Sequence, residues 1–257
     1  GRMITTLYDG QIDLKFEGKK HTYSVDGEPV PNTTKVLDSL SKPALVPWAA
    51  KETAAYWENL IAPGQPFQCD EVELAEHVKA SKAARFKRSG KALIIGGLVH
   101  DYAEAVAKGK PAAMPENEQA QRGCEAFNKW WHDHDIDVIA AERRIFSREH
   151  WYCGTTDLLA RIDGELSVLD WKTSTGIYPE MLAQVGGAYR VALEEELGEE
   201  IPGAWVVRFD KETGEPEDHQ LSKEELDAAW KVFHGALTAH VGLMDMKKLS
   251  KAAKLAA

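Results

Sequence analysis

The chain has 257 residues, 44% of them apolar and 28% charged, which describes an ordinary soluble globule with room for one large domain or two small ones. Its net charge of −10 excludes a protein that coats nucleic acid by bulk charge, though not one that carries a local basic track. No stretch reaches the length of a membrane span and no secretory signal opens the chain, so no membrane partner is expected. Cys69, Cys124 and Cys153 lack paired spacing and imply neither a zinc knuckle nor a disulfide framework; a reducing, cytoplasmic setting follows.

Gly1-Arg2 ahead of Met3 reads as a cloning remnant. His21 to Val30 alternates and carries Asp26-Gly27, the pattern of a small hairpin. Asn32 or Thr33 can cap a short helix through Leu40. Pro47 to Leu60 is helical in pattern, and its Trp48, Tyr56 and Trp57 serve either as core rings or as platforms for a base. Glu71 to Lys91 is helical with a sharp charge split. Asp70, Glu71, Glu73 and Glu76 come first, then Lys79, Lys82, Arg85, Lys87, Arg88 and Lys91 with no acid between them. That run is either a solvated face or a phosphate-contacting track. A helix of Ala92 to Ala107 follows, with His100 and Glu104 one turn apart on one face. Glu116 to His134 forms another; its His132 and His134 diverge, which marks a helix end and not a metal site.

Ile136 to Phe146 reads as a strand, and Gly154 to Ser174 as the hairpin on which the chain turns. Asp163-Gly164 closes a two-residue β-turn between alternating apolar runs. Facing pairs then run from Ile162 with Glu165 outward to Asp157 with Asp170, at a non-hydrogen-bonded position where Cβ atoms lie about 4.5–5.5 Å apart. Lys172, two residues on, projects from the same face. Two carboxylates so placed repel, and either protonation or a shared divalent cation relieves them. Charges scattered on a solvated hairpin are the alternative, but Leu166 to Leu169 is too apolar for a free edge. If Glu149-His150 is the turn before this hairpin, Glu142 aligns with Asp157 as a third carboxylate able to serve a second ion, with Arg143 and Arg144 beside it as further phosphate contacts.

Pro179 suits the first turn of a helix ending at Leu197 before Gly198, with Gln184 beside the pair Gly186-Gly187. Ala204 to Phe209 is a strand and Glu217 to Leu221 an edge strand. Ser222 with Glu225 forms a capping box for a helix to about Val241, and the tail with Lys247, Lys248, Lys251 and Lys254 is expected to fray. The expected whole is one α/β domain over 1–257: a hairpin and helical part (1–135), a mixed-sheet core with a helix over 179–197 (136–221), and a closing helix and tail (222–257).

Gly154-Thr155-Thr156-Asp157, Leu169-Asp170-Trp171-Lys172, Gln184 on a helix and His100 upstream together resemble the PD-(D/E)XK nuclease superfamily. Within it they are similar to the RecB-like branch, which includes the mitochondrial genome-maintenance exonuclease and many phage exonucleases. His21-Thr22-Tyr23 with Val30-Pro31-Asn32-Thr33-Thr34 resembles the opening of the phage-type members. Thr156 stands where the superfamily's name has proline. The family's helix pattern is Gln-x-x-x-Tyr, whereas Gln184 and Tyr189 are five apart, roughly 140° around a regular helix. A one-residue π-bulge near Gly186-Gly187 would restore their common face.

The resemblance implies a restriction-endonuclease-like core, and Mg²⁺ or Mn²⁺, one ion or two, held by Asp157, Asp170, the Trp171 carbonyl and His100. It also implies Lys172 and Gln184 acting on the attacking water, with Tyr189 beside them. The iron–sulfur cluster of the family's CRISPR-adaptation members needs four cysteines and is not expected here. DNA, single- or double-stranded and with a free end, is the implied partner. A homo-oligomer would add processivity. A structure-specific endonuclease and a non-catalytic nucleic-acid-binding module are the competing functions.

Overall fold

The computed structural model describes residues 2–40, 42 and 45–256; Gly1 of the expected remnant lies outside them. The chain divides into two compact units, Gly1–Leu40 with Val99–Ala257, and Ser41–Leu98.

Four short strands come first: β1 (Arg2–Leu7), β2 (Ile12–Glu17), β3 (Thr22–Val25) and β4 (Glu28–Val30), an antiparallel meander in that order. Only its second hairpin was legible beforehand. There Asp26 and Gly27 both take positive φ, 52° and 84°, the geometry of a tight primed turn. Leu7, Leu14, Val25 and Val30 bury against Phe146 and Cys153. Helix α1 (Thr33–Leu37) follows, shorter than expected, with Asn32 as its cap accepting from the Lys35 amide at 3.0 Å.

Helix α2 (Leu45–Leu60) and α3 (Glu71–Ala107) come next. The two helices expected over 71–107 are a single one. Residues of α3 up to Leu98 belong to the smaller unit, which is built on a cluster of Tyr56, Trp57, Phe67 and His77, the Tyr56 hydroxyl lying 2.8 Å from His77 Nδ1. Arg88 pairs with the nearly buried Glu52 at 2.9 Å.

The larger unit continues with α4 (Glu118–Asp133) and a mixed sheet. Its strands stand in chain order: β5 (Ile136–Ser147), β6 (Tyr152–Ile162), β7 (Glu165–Lys172), β8 (Gly203–Phe209) and β9 (Pro216–Gln220). Pairing is antiparallel except for β7 with β8, which is parallel and needs a crossover. The crossover consists of α5 (Pro179–Leu182), a π-helical stretch Ala183–Tyr189, and α6 (Arg190–Leu197), ended by Gly198 at φ 64°. Helix α7 (Lys223–Ala256) closes the chain; it starts from the expected Ser222–Glu225 capping box and runs through the tail that was expected to fray. The chain is thus a mixed α/β protein with a five-stranded mixed sheet flanked by helices. One face of the sheet packs on α5, the π stretch, α6 and α7 through Leu159, Val168, Val206, Ala188, Leu193 and Phe233. Trp171 and Phe209 on the other meet Phe127 of α4 at ring distances of 5.5 Å.

The β6–β7 register is the one that Asp163-Gly164 dictates, paired from Ile162↔Glu165 to Leu158↔Leu169. Both turn residues take positive φ, 51° and 88°. The Asp163 carboxylate also accepts from the Asp135 amide (2.9 Å) and contacts His134 Nδ1 (2.7 Å), which pins the turn to the start of β5. Between β5 and β6 the turn is not the two residues Glu149-His150. It takes in Arg148 to Trp151, Trp151 at φ 56° with its amide on the Ser147 carbonyl. The wider loop adds one residue to each side, so Arg143↔Thr156 and Ala141↔Leu158 still bracket Glu142 opposite Asp157.

Candidate active site

Paired main-chain bonding stops where the carboxylates begin. Asp157 and Asp170 lie one step beyond the last β6–β7 pair, Leu158↔Leu169, and are 5% and 4% exposed. Asp157 Oδ2 accepts from the Trp171 amide at 2.8 Å, its side chain is hydrogen-bonded to Asp170, and Asp170 Oδ2 is ion-paired with Lys172. His100, on the last third of α3, brings Nε2 to 3.3 Å from the Trp171 carbonyl and Nδ1 to 3.5 Å from Asp157 Oδ1.

Glu142 enters by a different device. It sits inside β5 yet has φ of 52°, a left-handed conformation that side chains rarely adopt, and it drops out of the ladder between its paired neighbours. Its carboxyl is hydrogen-bonded to Asp157. His100, Glu142 and Asp157 each offer a ligand atom, and these atoms lie within 4.8 Å of one another.

The electrostatics follow from burial and crowding. Burial, then the charge of Asp170, pushes Asp157 well above the usual carboxylate range. Burial works on Asp170 in the same direction, but Lys172 and the hydrogen bonds from Asp157 and Lys172 outweigh it and hold Asp170 low. Desolvation opposes the Lys172 charge, yet the two aspartates keep its pKa raised. Burial and then the neighbouring Glu104 raise Glu142. Oxygen donors with one imidazole are a set that Mg²⁺ or Mn²⁺ can accept.

The π stretch brings in the last pair. Bonding of the i→i+5 kind sets residues five apart on one face, and Gln184 and Tyr189 are both buried there. Gln184 Nε2 donates to Thr33 Oγ1 at 3.0 Å, and the Tyr189 ring lies beside the same threonine, its Cε1 and Thr33 Oγ1 each 2.9 Å from where a Cβ on Gly154 would stand. Glycines 186 and 187 permit the arrangement: a Cβ on Gly187 would come within 2.6 Å of the Ala229 carbonyl of α7, and one on Gly186 within 2.4 Å of Leu221. Burial and the carboxylates nearby raise Tyr189 well above an ordinary phenol, so it stays protonated.

No protein-family model and no curated protein matches the chain. Among solved structures, the alkaline exonuclease LHK-Exo from Laribacter hongkongensis matches 58% of this chain and 79% of its own at 14% identity, with a TM-score of 0.34. The structure of LHK-Exo in complex with dAMP matches 58% and 80% at 16% identity, also with a TM-score of 0.34. A likeness of that size is too slight to bear on function.

The structure therefore gathers Asp157, Asp170, Lys172, Trp171, His100 and Glu142 at one place, with Gln184 and Tyr189 on the helix behind. The arginines next to Glu142 turn to other work. Arg143 is paired with Glu196 at 2.8 Å, and Arg144 lies over the rings of Phe16 (5.1 Å) and Tyr23 (5.6 Å). Lys79, Lys82, Arg85, Lys87, Arg88 and Lys91 are all exposed on the α3 segment of the smaller unit. Two residues near the site were not assigned to it from the sequence. Glu104 had a signal in its one-turn spacing from His100. Thr33 lay in the Val30 to Thr34 run of the resemblance, but nothing there tied it to Gln184, 151 residues away.

Proposed function

We propose that the chain is a divalent-metal-dependent exonuclease that hydrolyses phosphodiester bonds in DNA, of phage or recombination and repair type, acting inside a bacterial or phage-infected cell. The observation that carries this reading is the buried meeting of Asp157, Asp170, Glu142 and His100 with Lys172. Uncompensated charges at such a site are costly, and a perturbed cluster of this kind marks function more often than stability. Asp157, Asp170, the Trp171 carbonyl and His100 would hold Mg²⁺ or Mn²⁺, and Glu142 would extend the set toward a second ion. Such an ion supplies charge shielding at the phosphate and acidifies a nearby water.

The chain's own groups do the rest. Lys172, held beside Asp170, aids removal of the water's proton and steadies the charge that builds on the phosphate oxygens. Gln184 orients the water, and Tyr189, protonated throughout, braces it. Lys79, Lys82, Arg85, Lys87 and Lys91 contact backbone phosphates.

Timed digestion of end-labelled linear and circular DNA, with Mg²⁺, Mn²⁺ or chelator, tests the reading. Linear DNA should be degraded from its ends with either metal and not with chelator, and Asp170→Ala should lose the activity. Equal degradation by wild type and Asp170→Ala would overturn the enzymatic assignment. Cutting of circles as fast as linear molecules would replace the exonuclease by a structure-specific endonuclease.

A further inference from the structure

Thr33 is 1% exposed, so water does not compete for its hydroxyl. Two main-chain ties carry it to the sheet: the Cys153 amide donates to the Pro31 carbonyl at 3.0 Å, and Asn32 bridges Cys153 in parallel fashion. Asn32 then fixes the first turn of α1 by accepting from the Lys35 amide. Gly154, the next residue of β6, makes room. A Cβ there would lie 2.9 Å from Thr33 Oγ1 and 2.9 Å from Tyr189 Cε1, so any larger residue would press into both. Oγ1 in turn accepts from Gln184 Nε2 at 3.0 Å. A backbone anchor, a space kept by glycine and a buried hydrogen bond converge on one hydroxyl.

We propose that Thr33 is a positioning residue that holds the Gln184 side chain by its NH₂ half and so leaves Oε1 to the reaction. A glutamine side chain can turn end for end, exchanging a donor for an acceptor at the same place. With Nε2 engaged by Thr33, Oε1 is left as the free half, and it can only accept. An acceptor takes a hydrogen of the attacking water and leaves the oxygen lone pair for phosphorus; an NH₂ in the same place would bind that lone pair instead. The π stretch sets Tyr189 on the same side as Gln184, its ring bordering the space beside Gly154 that Thr33 Oγ1 also borders. The inference rests on the hydrolytic reading above and adds to it the residue that orients its water-directing amide.

Thr33→Val removes the hydroxyl at nearly constant shape, and Thr33→Ser restores it. Two readouts separate positioning from stability: kcat and KM on linear DNA, and the side-chain NH₂ resonances of Gln184 with their hydrogen exchange. Thr33→Val should expose the Gln184 NH₂ to exchange and lower kcat about 10–100-fold, as loss of an orienting partner does, with KM changed less than about twofold. Thr33→Ser should recover both. Thr33→Ala, smaller and also without a hydroxyl, serves if valine is not accommodated. An NH₂ group that stays protected in Thr33→Val, or a kcat within about twofold of wild type, overturns the proposal. Should the wild-type chain hydrolyse no DNA, the hydrolytic reading falls by itself, and the amide exchange still decides whether Thr33 holds Gln184.

Discussion

Glu142 faces Asp157 across the β5–β6 pair from a left-handed backbone, φ 52°, in the middle of a strand. That conformation costs a non-glycine residue about 1–2 kcal/mol, and strain of this kind persists where it aims a side chain at a site. Glu142→Gly should therefore be more stable by about 1 kcal/mol, a gain of about 2–4 °C in Tm for a chain of this size, while losing most metal-supported DNA hydrolysis. Thermal melting and a digestion assay check both halves. A variant with full activity would remove Glu142 from the site.

The aspartate pair gives a pH dependence of mixed sign. Asp157, raised by burial and by Asp170, contributes stability that is complete below its unfolded value of about 3.9 and is lost as pH rises through its folded value. Asp170, held low by Lys172 against the effect of burial, contributes stability that is complete above about 3.9 and is lost as pH falls through its lowered folded value. In chelator, Tm should then pass through a maximum in mildly acid solution and decline toward alkaline pH. Asp157→Asn should flatten the alkaline decline, and Mg²⁺ should offset it by taking the place of the proton. Melting curves from about pH 4 to 9 decide this; a wild-type curve in chelator as flat as that of the variant would dissolve the coupling.

Glycines in the two long helical regions should respond in opposite ways to the same change. At Gly187 a Cβ would meet the Ala229 backbone at 2.6 Å, so Gly187→Ala should cost about 1–3 kcal/mol or more as α7 is forced away. At Gly97 nothing lies within 4 Å, and Gly97→Ala should gain up to about 1 kcal/mol from helix propensity. Denaturant titration of the two variants measures the contrast. A tolerated alanine at position 187 would mean that close approach of α7 is not what requires the glycine.

Lys82 and Arg85 are one turn apart and exposed on α3. If they contact phosphates, replacing both with alanine should weaken binding to DNA of any sequence and reduce the slope of log K against log salt by about 2. Arg88→Ala should act differently, loosening the smaller unit by leaving the nearly buried Glu52 without its partner. Salt titrations of affinity separate the two; an unchanged slope in the double variant would make this run an ordinary solvated face.

Turn chemistry and residue spacing were enough for the centre of the molecule. Asp163-Gly164 dictated the β6–β7 register because only certain residues accept two successive positive φ angles, and that register set Asp157 against Asp170. Set beside the Gln-x-x-x-Tyr of the nuclease resemblance, the five-residue step from Gln184 to Tyr189 implied a π-bulge, and a π stretch is present. Such features depend on neighbours a few residues apart, so the sequence by itself determined them. It did not determine the wider turn at Arg148 to Trp151 or the left-handed twist that delivers Glu142. Nor did it place Thr33 under Gln184 or Glu104 beside Glu142. Those were decided by tertiary packing, because a contact between residues 151 apart depends on how whole elements settle against one another, and no local pattern encodes that.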